Sequence, residues 1–412
     1  MELLYISKLC SHKKFDELFV SSHIKLQQQA QKFHHLLASG LSEHADIKVT
    51  AMSGLPLSRV INKKIWWRGL SETVNGLHFI YLPYLNMAII GHIFSFFITF
   101  FATVKWCLAN QKRERYIICD VLNLTMSIAA KAAAKLFGVK TAAIVTDIPI
   151  FMQGYVKQEK TGIKSLIVGF YTALCTYFVK QYDAYVVLTE QMNDLVNPKN
   201  NPHIVIEGMA SYEMKEVSNL SEGKYQEKVV VYAGALHEKY GIKRLIEAFT
   251  SLPMDDIQLW IYGSGEMEKE IREYEGQDSR IKYFGVVHNS IVIREEIKAS
   301  LLVNPRPSDE EFTKYSFPSK NMEYMSTGTP LLTTKLPGMP EEYYDFVYLF
   351  DDESVEGMAR TLERVLSLPK AELHAKGNAA KEFVLREKNN VVQAKKLLNL
   401  FEDQILLNNN EK

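Results

Sequence analysis

Short apolar runs alternate with amphipathic stretches along the second half of the chain. The apolar runs have the length of buried strands, and the stretches between them have the 3.6-residue spacing of helices. Such short βα units predict a parallel, doubly wound sheet, which binds ligands at the carboxyl ends of its strands. The predicted strands are residues 229–233, 258–262, 281–284, 301–303 and 330–333, and the predicted helices include 242–249, 291–299 and 319–327.

The first half shows the same alternation less regularly. Residues 211–228 are rich in Glu, Lys and Ser, and they are the best candidate for a linker. We therefore predict an α/β protein with two Rossmann-like domains, at residues 1–210 and 229–389. The strands predicted in the first half are residues 47–50, 116–118, 141–145 and 184–188.

Composition narrows the class of protein. A chain of 412 residues, 47% of them hydrophobic, is too long and too apolar for a disordered segment or a disulfide-stapled miniprotein. The four cysteines have no metal-ligand spacing, and the first residues lack the pattern of a signal peptide, so we expect a cytoplasmic protein. Residues 1–200 carry 22 basic and 13 acidic side chains (22 − 13 = +9), whereas residues 201–412 carry 26 and 35 (26 − 35 = −9). The basic half suits an anionic surface or substrate.

Two features of the first half point to a membrane. Residues 87–104 carry no formal charge, but a bilayer span needs about 20 apolar residues, so we favour a buried crossover helix over a span. Residues 63–68, Lys-Lys-Ile-Trp-Trp-Arg, combine cations that attract anionic lipid with indoles that settle at headgroup depth. A surface loop whose tryptophans cap the core is an equal alternative for this segment. The net positive charge of this half favours peripheral contact with an anionic membrane.

The most informative segment surrounds Pro318, which suits the first turn of a helix because its missing N–H is no loss there. Backbone N–H groups beside it would point at one place, a ready anion site at the positive end of the helix. Lys320 adds a charge, and Glu323 lies on the same helix face. A diphosphate and a ribose diol would be held together there, and an ordinary capped helix is the alternative. The N–H groups are those of Ser316, Phe317 and Ser319.

This segment resembles the donor-binding signature of family 4 glycosyltransferases, retaining enzymes of the GT-B fold that use nucleotide-sugars. The signature has two glutamates separated by seven residues, followed by Gly-Thr-Pro and a strand. Glu323 matches the second glutamate, which holds the ribose in the family, and residues 328–330 match Gly-Thr-Pro. Tyr315 replaces the first glutamate, which faces the donor sugar in the family. The Phe-Pro-Ser-Lys form of the segment, with Asn-Pro-Arg-Pro upstream, is similar to a subgroup of bacterial capsule and exopolysaccharide transferases.

The loop that begins at Gly234 resembles the family's loop at the donor diphosphate. The usual Arg of that loop is replaced by Ala235, and the usual Lys occurs one place early as Lys239. The resemblance implies that Lys320 or Arg306 supplies the missing cation.

Two further positions rest on the same resemblance. Gly285 and Val287 lie where family members contact the base of the nucleotide. Residues 263–265, Gly-Ser-Gly, are similar to the family's glycine turn after a strand, although such a turn often only closes a βα loop.

Candidate acceptor residues lie in the first half. Asp147 ends a predicted strand beside the cleft that a GT-B fold implies, where it would bind a sugar hydroxyl or stabilise developing charge; a helix N-cap is the equal alternative. Gln31, Lys32 and His34 would line the acceptor side, although a solvated helix face is favoured for them. The resemblance also implies that a helix at residues 390–412 crosses back to the first domain.

The resemblance implies a hexosyltransferase that retains the anomeric configuration. We expect it to move a sugar from a nucleotide diphosphate donor, with UDP favoured, to a glycan or lipid-linked acceptor in bacterial cell-surface polysaccharide synthesis. Cations and amides would stabilise the departing diphosphate, so we expect neither a metal nor a cofactor. The sequence has no Asp-x-Asp, phosphate-loop, HExxH or GxSxG motif, and no basic–aromatic pattern of a nucleic-acid module.

Two alternatives stay open from the sequence. One is a nucleotide-sugar epimerase or a phosphorylase of related fold. The other is a catalytically silent GT-B partner subunit, which the replacements at Tyr315 and Ala235 favour. We expect Lys320→Ala to reduce turnover severely without unfolding the protein.

Overall fold

The computed structural model describes residues 1–23, 29–148 and 163–410, which divide into two units. The first unit comprises Met1–Glu207 and Asn390–Lys412, and the second comprises Gly208–Asn389. The chain therefore leaves the first unit, forms the second, and returns to the first for its last helix.

The first unit is built on an eight-stranded sheet with the order β10-β9-β8-β7-β1-β2-β5-β4. All neighbours are parallel except β4 and β5, which form a hairpin through Asn75 and Gly76, both with positive φ. An Asn-Gly pair adopts such angles at low cost, which fixes this edge of the sheet. The strands of this sheet are β1 (Glu2–Ser7), β2 (Lys48–Ser53), β4 (Leu70–Val74), β5 (Leu77–Tyr81), β7 (Arg115–Asp120), β8 (Lys140–Val145), β9 (Ala184–Val187) and β10 (His203–Val205). Two short strands, β3 (Trp66–Trp67) and β6 (Tyr84–Leu85), form a separate antiparallel pair.

Helices cover this sheet, and the C-terminal helix also packs in the first unit. Phe401 stacks on Tyr116 of β7 at 4.2 Å between ring centroids, and Asn390 donates a hydrogen bond to the Leu36 carbonyl. The helices of the first unit are α1 (His12–Ser21), α2 (Gln29–Ser42), α3 (Ile89–Ala109), α4 (Leu124–Leu136), α5 (Ile163–Val179), α6 (Glu190–Val196) and, at the end of the chain, α13 (Asn390–Asn410).

Helix α3 is not the buried crossover helix that the sequence favours. Within the described residues it is the one helix long and apolar enough to cross a membrane by length and composition, and only 22% of its most apolar 18-residue window is buried. A core helix of a soluble protein can pass the same test of length and composition. One face of α3 packs on α4, and the rest lies at the surface of the unit.

The second unit has a six-stranded, fully parallel sheet with the order β13-β12-β11-β14-β15-β16. Numbered along the chain this is 3-2-1-4-5-6, the order of a dinucleotide-binding Rossmann domain. The strands are β11 (Lys228–Ala233), β12 (Ile257–Tyr262), β13 (Ile281–Gly285), β14 (Leu301–Asn304), β15 (Leu331–Thr333) and β16 (Tyr348–Leu349). The helices are α7 (Ile242–Thr250), α8 (Glu268–Gln277), α9 (Asn289–Lys298), α10 (Ser319–Thr327), α11 (Val355–Leu366) and α12 (Lys370–Glu387).

Alternate residues of β11 supply the cores on the two faces of this sheet. Val230 and Tyr232 join one apolar cluster, in which α7 contributes Phe249, and Val231 joins the other, in which α10 contributes Met322. A strand that is buried on both faces reads as a continuous apolar run. This is why the strands of the second half could be predicted within one or two residues.

The predicted linker, residues 211–228, is packed on the second unit. Asn219 donates to the Thr327 carbonyl at 2.8 Å, and the Lys224 ammonium donates to the Ile297 carbonyl and the Thr329 hydroxyl at 2.8 and 2.7 Å. Its polar composition therefore reflects side chains that bond to the domain rather than a free tether.

Candidate functional site

Three glycine-containing loops interlock at the carboxyl edge of the second sheet. The Gly234 amide donates to the Tyr262 carbonyl at 3.0 Å, and the Gly263 amide donates to the Gly285 carbonyl at 2.8 Å. A Cβ on Gly263 would collide with the Gly234 carbonyl, and the φ of Gly263 is +128°. Only glycine fits there, because L side chains rarely adopt such an angle. The loops after β11, β12 and β13 therefore form one backbone-lined edge.

A second close approach joins the loop before α7 to the end of β14. Gly241 has a φ of +79°, and a Cβ on it would collide with the Pro305 carbonyl. The Leu245 amide donates to the Gly241 carbonyl at 3.0 Å, so this glycine also opens helix α7. The approach brings the 3₁₀ turn Glu238–Tyr240 next to residues 305–306.

Helix α10 is tied to the ends of three strands by buried polar side chains. The Tyr324 hydroxyl donates to the Ala233 carbonyl at 3.1 Å and accepts from the Ala233 amide at 2.7 Å. Asn321 accepts from the Asn304 side chain at 2.6 Å and donates to the Thr333 hydroxyl at 3.4 Å. Buried hydrogen-bond networks of this kind specify one position for the helix. The sequence does not identify Asn321 or Tyr324 as positioning residues, because most of this helix is polar and only its packing shows that both side chains are buried.

Helix α10 begins at Ser319, as the sequence predicts. Pro318 is the N-cap residue rather than a residue of the first turn, and within the described chain no side chain caps this helix. Phe317 is buried against Tyr343, with 5.1 Å between the ring centroids. The Ser316 hydroxyl donates to the Phe312 carbonyl at 3.2 Å, while Ser319 lies at the surface. The predicted residues therefore do form the turn that enters the helix.

Lys320 is held between two buried carboxylates. Its Nζ lies 2.6 Å from Glu323 Oε1 and 3.7 Å from Glu296 Oε1, and both glutamates are almost fully buried. Burial lowers the pKa of the Lys320 ammonium, and the Glu296 carboxylate opposes that shift. An ammonium has three N–H donors, so it can hold both carboxylates and still donate to a ligand.

Glu296, on α9, is not among the site residues that the sequence predicts. It lies far from residues 316–323 in sequence, and a Glu-Glu pair on an amphipathic helix gave no signal of a buried charge. Its presence changes the expectation for Lys320→Ala: that substitution would leave two carboxylates buried together. Such a loss costs about 3–5 kcal/mol of stability, so we expect the variant to be markedly less stable than the original chain.

Arg306 and Lys239 share the ring of Tyr240. The Arg306 guanidinium carbon lies 4.8 Å from the Tyr240 centroid and 5.6 Å from that of Phe312, and Lys239 Nζ lies 5.3 Å from the Tyr240 centroid. The Arg306 Nε is buried and, within the described residues, has no hydrogen-bond partner. Aromatic rings therefore position two cations beside the loop that begins at Gly234. In that loop Ala235 replaces the arginine that is usual in the resembled family.

The remaining predicted donor residues lie in the same unit but are less constrained. Tyr315 is half-buried at the end of the 3₁₀ turn Glu311–Lys314, and its amide donates to the Phe312 carbonyl at 3.1 Å. Gly285 has a positive φ at the end of β13, and Val287 packs partly against the core.

The predicted acceptor residues lie in the first unit, and two of them are buried. His34 accepts or donates at 2.8 Å to the Tyr5 hydroxyl and lies 3.3 Å from Asp120, and Gln31 accepts from the Cys10 amide at 3.3 Å. The favoured solvated helix face is therefore wrong for both. Asp147 accepts from the Ile148 amide at 2.8 Å, next to the end of β8.

His34 is part of a buried polar cluster where β1 and β7 end side by side. The Ser7 hydroxyl donates to Asp120 at 3.0 Å, and Asn123 also bonds to this carboxylate. Burial lowers the pKa of His34 and of the adjoining Lys8, and Asp120 opposes both shifts. This is the switch point of the first sheet, where doubly wound sheets bind ligands.

Within the described ranges 1–23, 29–148 and 163–410, no group of three or more His, Cys, Asp or Glu side chains is placed to hold a metal ion.

The sequence of the second unit matches a known family. Residues 213–382 match the model for "Glycosyl transferases group 1". The second unit is similar to this family. No curated protein sequence matches the chain.

Solved structures match the chain along nearly its full length. Sucrose-phosphate synthase from Thermosynechococcus elongatus is 15% identical, with a TM-score of 0.68 over 99% of this chain and 100% of that chain. Anabaena Alr3699/HepE in complex with UDP is 11% identical, with a TM-score of 0.59 over 98% of this chain and 100% of that chain. The apo form of lipopolysaccharide outer core galactosyltransferase WaaB is 15% identical, with a TM-score of 0.57 over 98% and 100%.

These similarities establish the architecture. The fold is GT-B. Its two Rossmann-like domains are the two parallel-sheet units described above, as the sequence predicts. At 11–15% identity the structural neighbours show the fold alone.

Proposed function

We propose that this protein is a glycosyltransferase that moves a hexose from a nucleotide diphosphate sugar to a glycan or lipid-linked acceptor. The observation that carries the proposal is the carboxyl edge of the second sheet. There, glycine loops, the start of α10 and the Arg306–Lys239 pair lie within the stretch that is similar to group 1 glycosyl transferases. Backbone amides and cations around one place suit a diphosphate.

The proposed roles follow from the chemistry of each group. The backbone of Gly234 lets the diphosphate approach closely, while Arg306 and Lys239 bind its oxygens. The turn at residues 316–319 supplies N–H groups from Ser316, Phe317 and Ser319. When the bond between the anomeric carbon and the diphosphate breaks, negative charge grows on the leaving group. Cations fixed in advance stabilise that charge most in the transition state.

Lys320 and Glu323 form the second part of the proposed donor site. The Glu323 carboxylate accepts hydrogen bonds from the ribose diol, and Lys320 holds this carboxylate and donates to the nearer phosphate. Gly285 and Val287 contact the base, and Tyr315 faces the donor sugar in place of a glutamate. Asp147, in the first unit, binds a sugar hydroxyl.

UDP is the nucleotide we propose, because the GT-B neighbour Alr3699/HepE has structures with UDP and with UDP and glucose. We further propose retention of the anomeric configuration, departure of the diphosphate without a metal or other cofactor, and a role in bacterial capsule or exopolysaccharide synthesis. The protein would work in the cytoplasm, in peripheral contact with the inner face of the plasma membrane.

A catalytically silent GT-B subunit is the second candidate. It is favoured by Ala235 and Tyr315, which stand where the resembled family has a cation and a carboxylate, and by the pairing of Lys320 with two carboxylates. An epimerase of related fold would convert the donor without releasing its nucleotide.

Release of the nucleotide distinguishes these functions. The isolated full-length chain should be incubated with UDP-, GDP- and dTDP-sugars, and the free nucleoside diphosphate measured over time. We expect slow release of UDP from one UDP-sugar, faster when a suitable acceptor is added. A chain that binds UDP but releases none from any donor is a silent subunit, and conversion of the donor sugar without release identifies an epimerase.

A further inference from the structure

Helix α3 of the first unit buries small and polar residues along much of its length and exposes a row of large apolar side chains. Its buried positions include Thr99, Thr103 and Gly91, two of which are polar. Five apolar residues form an outward ridge: they are spaced three, four, four and seven positions apart, as on one face of a helix, and each is more than half exposed. These outward residues are Ile90, Ile93, Phe97, Phe101 and Leu108.

A helix that only packs on a domain buries its apolar stripe and exposes polar residues. Helix α3 has no charged residue before Lys105, so water would meet a continuous row of isoleucine and phenylalanine side chains. Contiguous exposed apolar surfaces mark sites of interaction with a membrane or another macromolecule.

The basic–aromatic segment at residues 63–68 is fixed at the start of this helix. Trp66, in β3, pairs with Leu85 of β6, and its ring meets Phe94 of α3 edge-on at 5.7 Å. The buried Asn86 side chain donates to the Asn62 and Lys64 carbonyls at 2.8 and 3.1 Å. The segment is therefore held beside the apolar ridge as part of one surface, with Trp66 itself exposed.

The segment that forms this surface is strongly basic. Residues 47–113 carry eight Lys and Arg side chains and a single acid, Glu72, so their net charge is +7 (8 − 1). Lys63, Lys64 and Arg68 are all exposed, and the Lys64 ammonium lies 4.4 Å from the Trp67 ring. Cations and indoles beside an apolar face match the three layers of an anionic membrane surface: phosphates, headgroup boundary and acyl chains.

We infer that α3 and residues 63–68 form a docking surface for an anionic lipid bilayer, with α3 lying in the plane of the interface. This deepens the membrane contact in the proposed function by naming the helix that enters the acyl region. The helix does not span, because its inner face is packed: Trp106 and Cys107 are buried, and a Cβ on Gly91 would collide with the Leu85 carbonyl. Amphipathic helices of this kind bury their apolar face at the boundary of headgroups and chains.

The net positive charge also favours a bilayer over a second copy of the chain as the partner of this surface. A symmetric dimer through this face would bring the cations of both copies into the same interface, with Glu72 as the one acid of the segment to offset them. Like charges facing each other oppose association. Anionic lipid supplies the missing opposite charge.

Vesicle sedimentation tests the inference. The full-length chain is mixed with vesicles of phosphatidylcholine alone, or of phosphatidylcholine and phosphatidylglycerol in equal parts. We expect binding to the anionic vesicles, with the partition coefficient reduced about a hundredfold by Phe97→Glu with Phe101→Glu. Lys63→Gln with Lys64→Gln should reduce it about fivefold per cation removed. The matched control, Leu220→Glu, replaces an equally exposed apolar residue of the second unit and should leave it unchanged.

A measurement on the unmodified chain avoids dependence on the folding of the variants. Bromine on the lipid acyl chains should quench the tryptophan fluorescence of this chain. A Trp66→Phe variant then assigns the signal, because it should remove most of that quenching. Absence of quenching, or vesicle binding that the Phe97/Phe101 variant retains, overturns the inference. So does a dimer that this variant abolishes while vesicles stay unbound.

The outcome is independent of the donor site. UDP titration of the same preparation reports on the second unit, whereas sedimentation reports on the first. A chain that binds vesicles but no nucleotide would contradict the proposed glycosyl transfer and leave the docking surface standing.

Discussion

Lys320 shows how one buried residue links stability to the proposed chemistry. Its ammonium separates Glu323, the proposed ribose ligand, from Glu296, which is fully buried. The sequence places Lys320 and Glu323 on one helix face, and the 2.6 Å contact between them confirms that geometry. The sequence could not reveal Glu296, because its contact with Lys320 depends on how α9 packs against α10.

Stability measurements can show this dependence. We predict that Lys320→Met lowers the free energy of unfolding by about 3–5 kcal/mol, because two buried carboxylates lose their counter-ion. Combining it with Glu296→Gln should recover most of that loss, since one charge is then removed. Urea unfolding of both variants measures the effect, and equal stability of the single and the double variant would contradict the coupling.

Arg306 is the residue at which shape matters as much as charge. We predict that Arg306→Lys weakens UDP binding about tenfold, because an ammonium lacks the planar fork that stacks on Tyr240 and grips phosphate oxygens. The control is Arg272→Lys. Arg272 is on helix α8, outside the proposed site, and its guanidinium carbon lies 4.8 Å from the centroid of the Tyr283 ring. If calorimetry gives both variants the affinity of the original chain, Arg306 does not bind the diphosphate.

At the scale of elements, the segment before β11 contains a lysine with an unusual titration. Burial lowers the pKa of Lys224 from 10.5 to about 7, and its ammonium is held by the Ile297 carbonyl and the Thr329 hydroxyl. In the unfolded chain this lysine keeps its proton until pH approaches 10.5. Between those values the unfolded state therefore binds more protons than the folded state, so stability rises with pH.

The predicted slope is up to about 1.4 kcal/mol per pH unit for one proton. Unfolding free energies measured by urea between about pH 7 and about pH 9 should rise less steeply in Lys224→Met than in the original chain. Parallel curves for the two proteins would show that Lys224 keeps its proton when folded.

Element boundaries in the second unit were predictable, and the exposure of α3 was not. Strand β11 is buried on both faces, so its apolar run of five residues identifies it by itself. Helix α3 has the same apolar composition as a buried helix, and only tertiary packing decides which of its faces is covered. For the same reason the polar composition of residues 211–228 could not distinguish a linker from a packed segment.

At the scale of the whole molecule, both sheets have the strand order 3-2-1-4-5-6 at their centre, and the first adds β10 beyond it and the antiparallel β4 at its edge. The sequence predicts two Rossmann-like domains because βα alternation occurs in both halves. It does not show the buried Ser7–Asp120–His34 cluster, because these residues are far apart in the chain and meet only where β1 and β7 end together.

The central claim is that the carboxyl edge of the second sheet binds a nucleoside diphosphate. Calorimetric titration of UDP into the full-length chain tests it most directly, with Glu323→Gln as the variant and the exposed Glu273→Gln on α8 as its control. We predict saturable binding of one UDP per chain, weakened about 10- to 100-fold by Glu323→Gln, because a charge-assisted bond to the ribose is lost, and unchanged by Glu273→Gln. Absence of binding by UDP, GDP and dTDP alike, or equal affinity in all three proteins, would contradict the account.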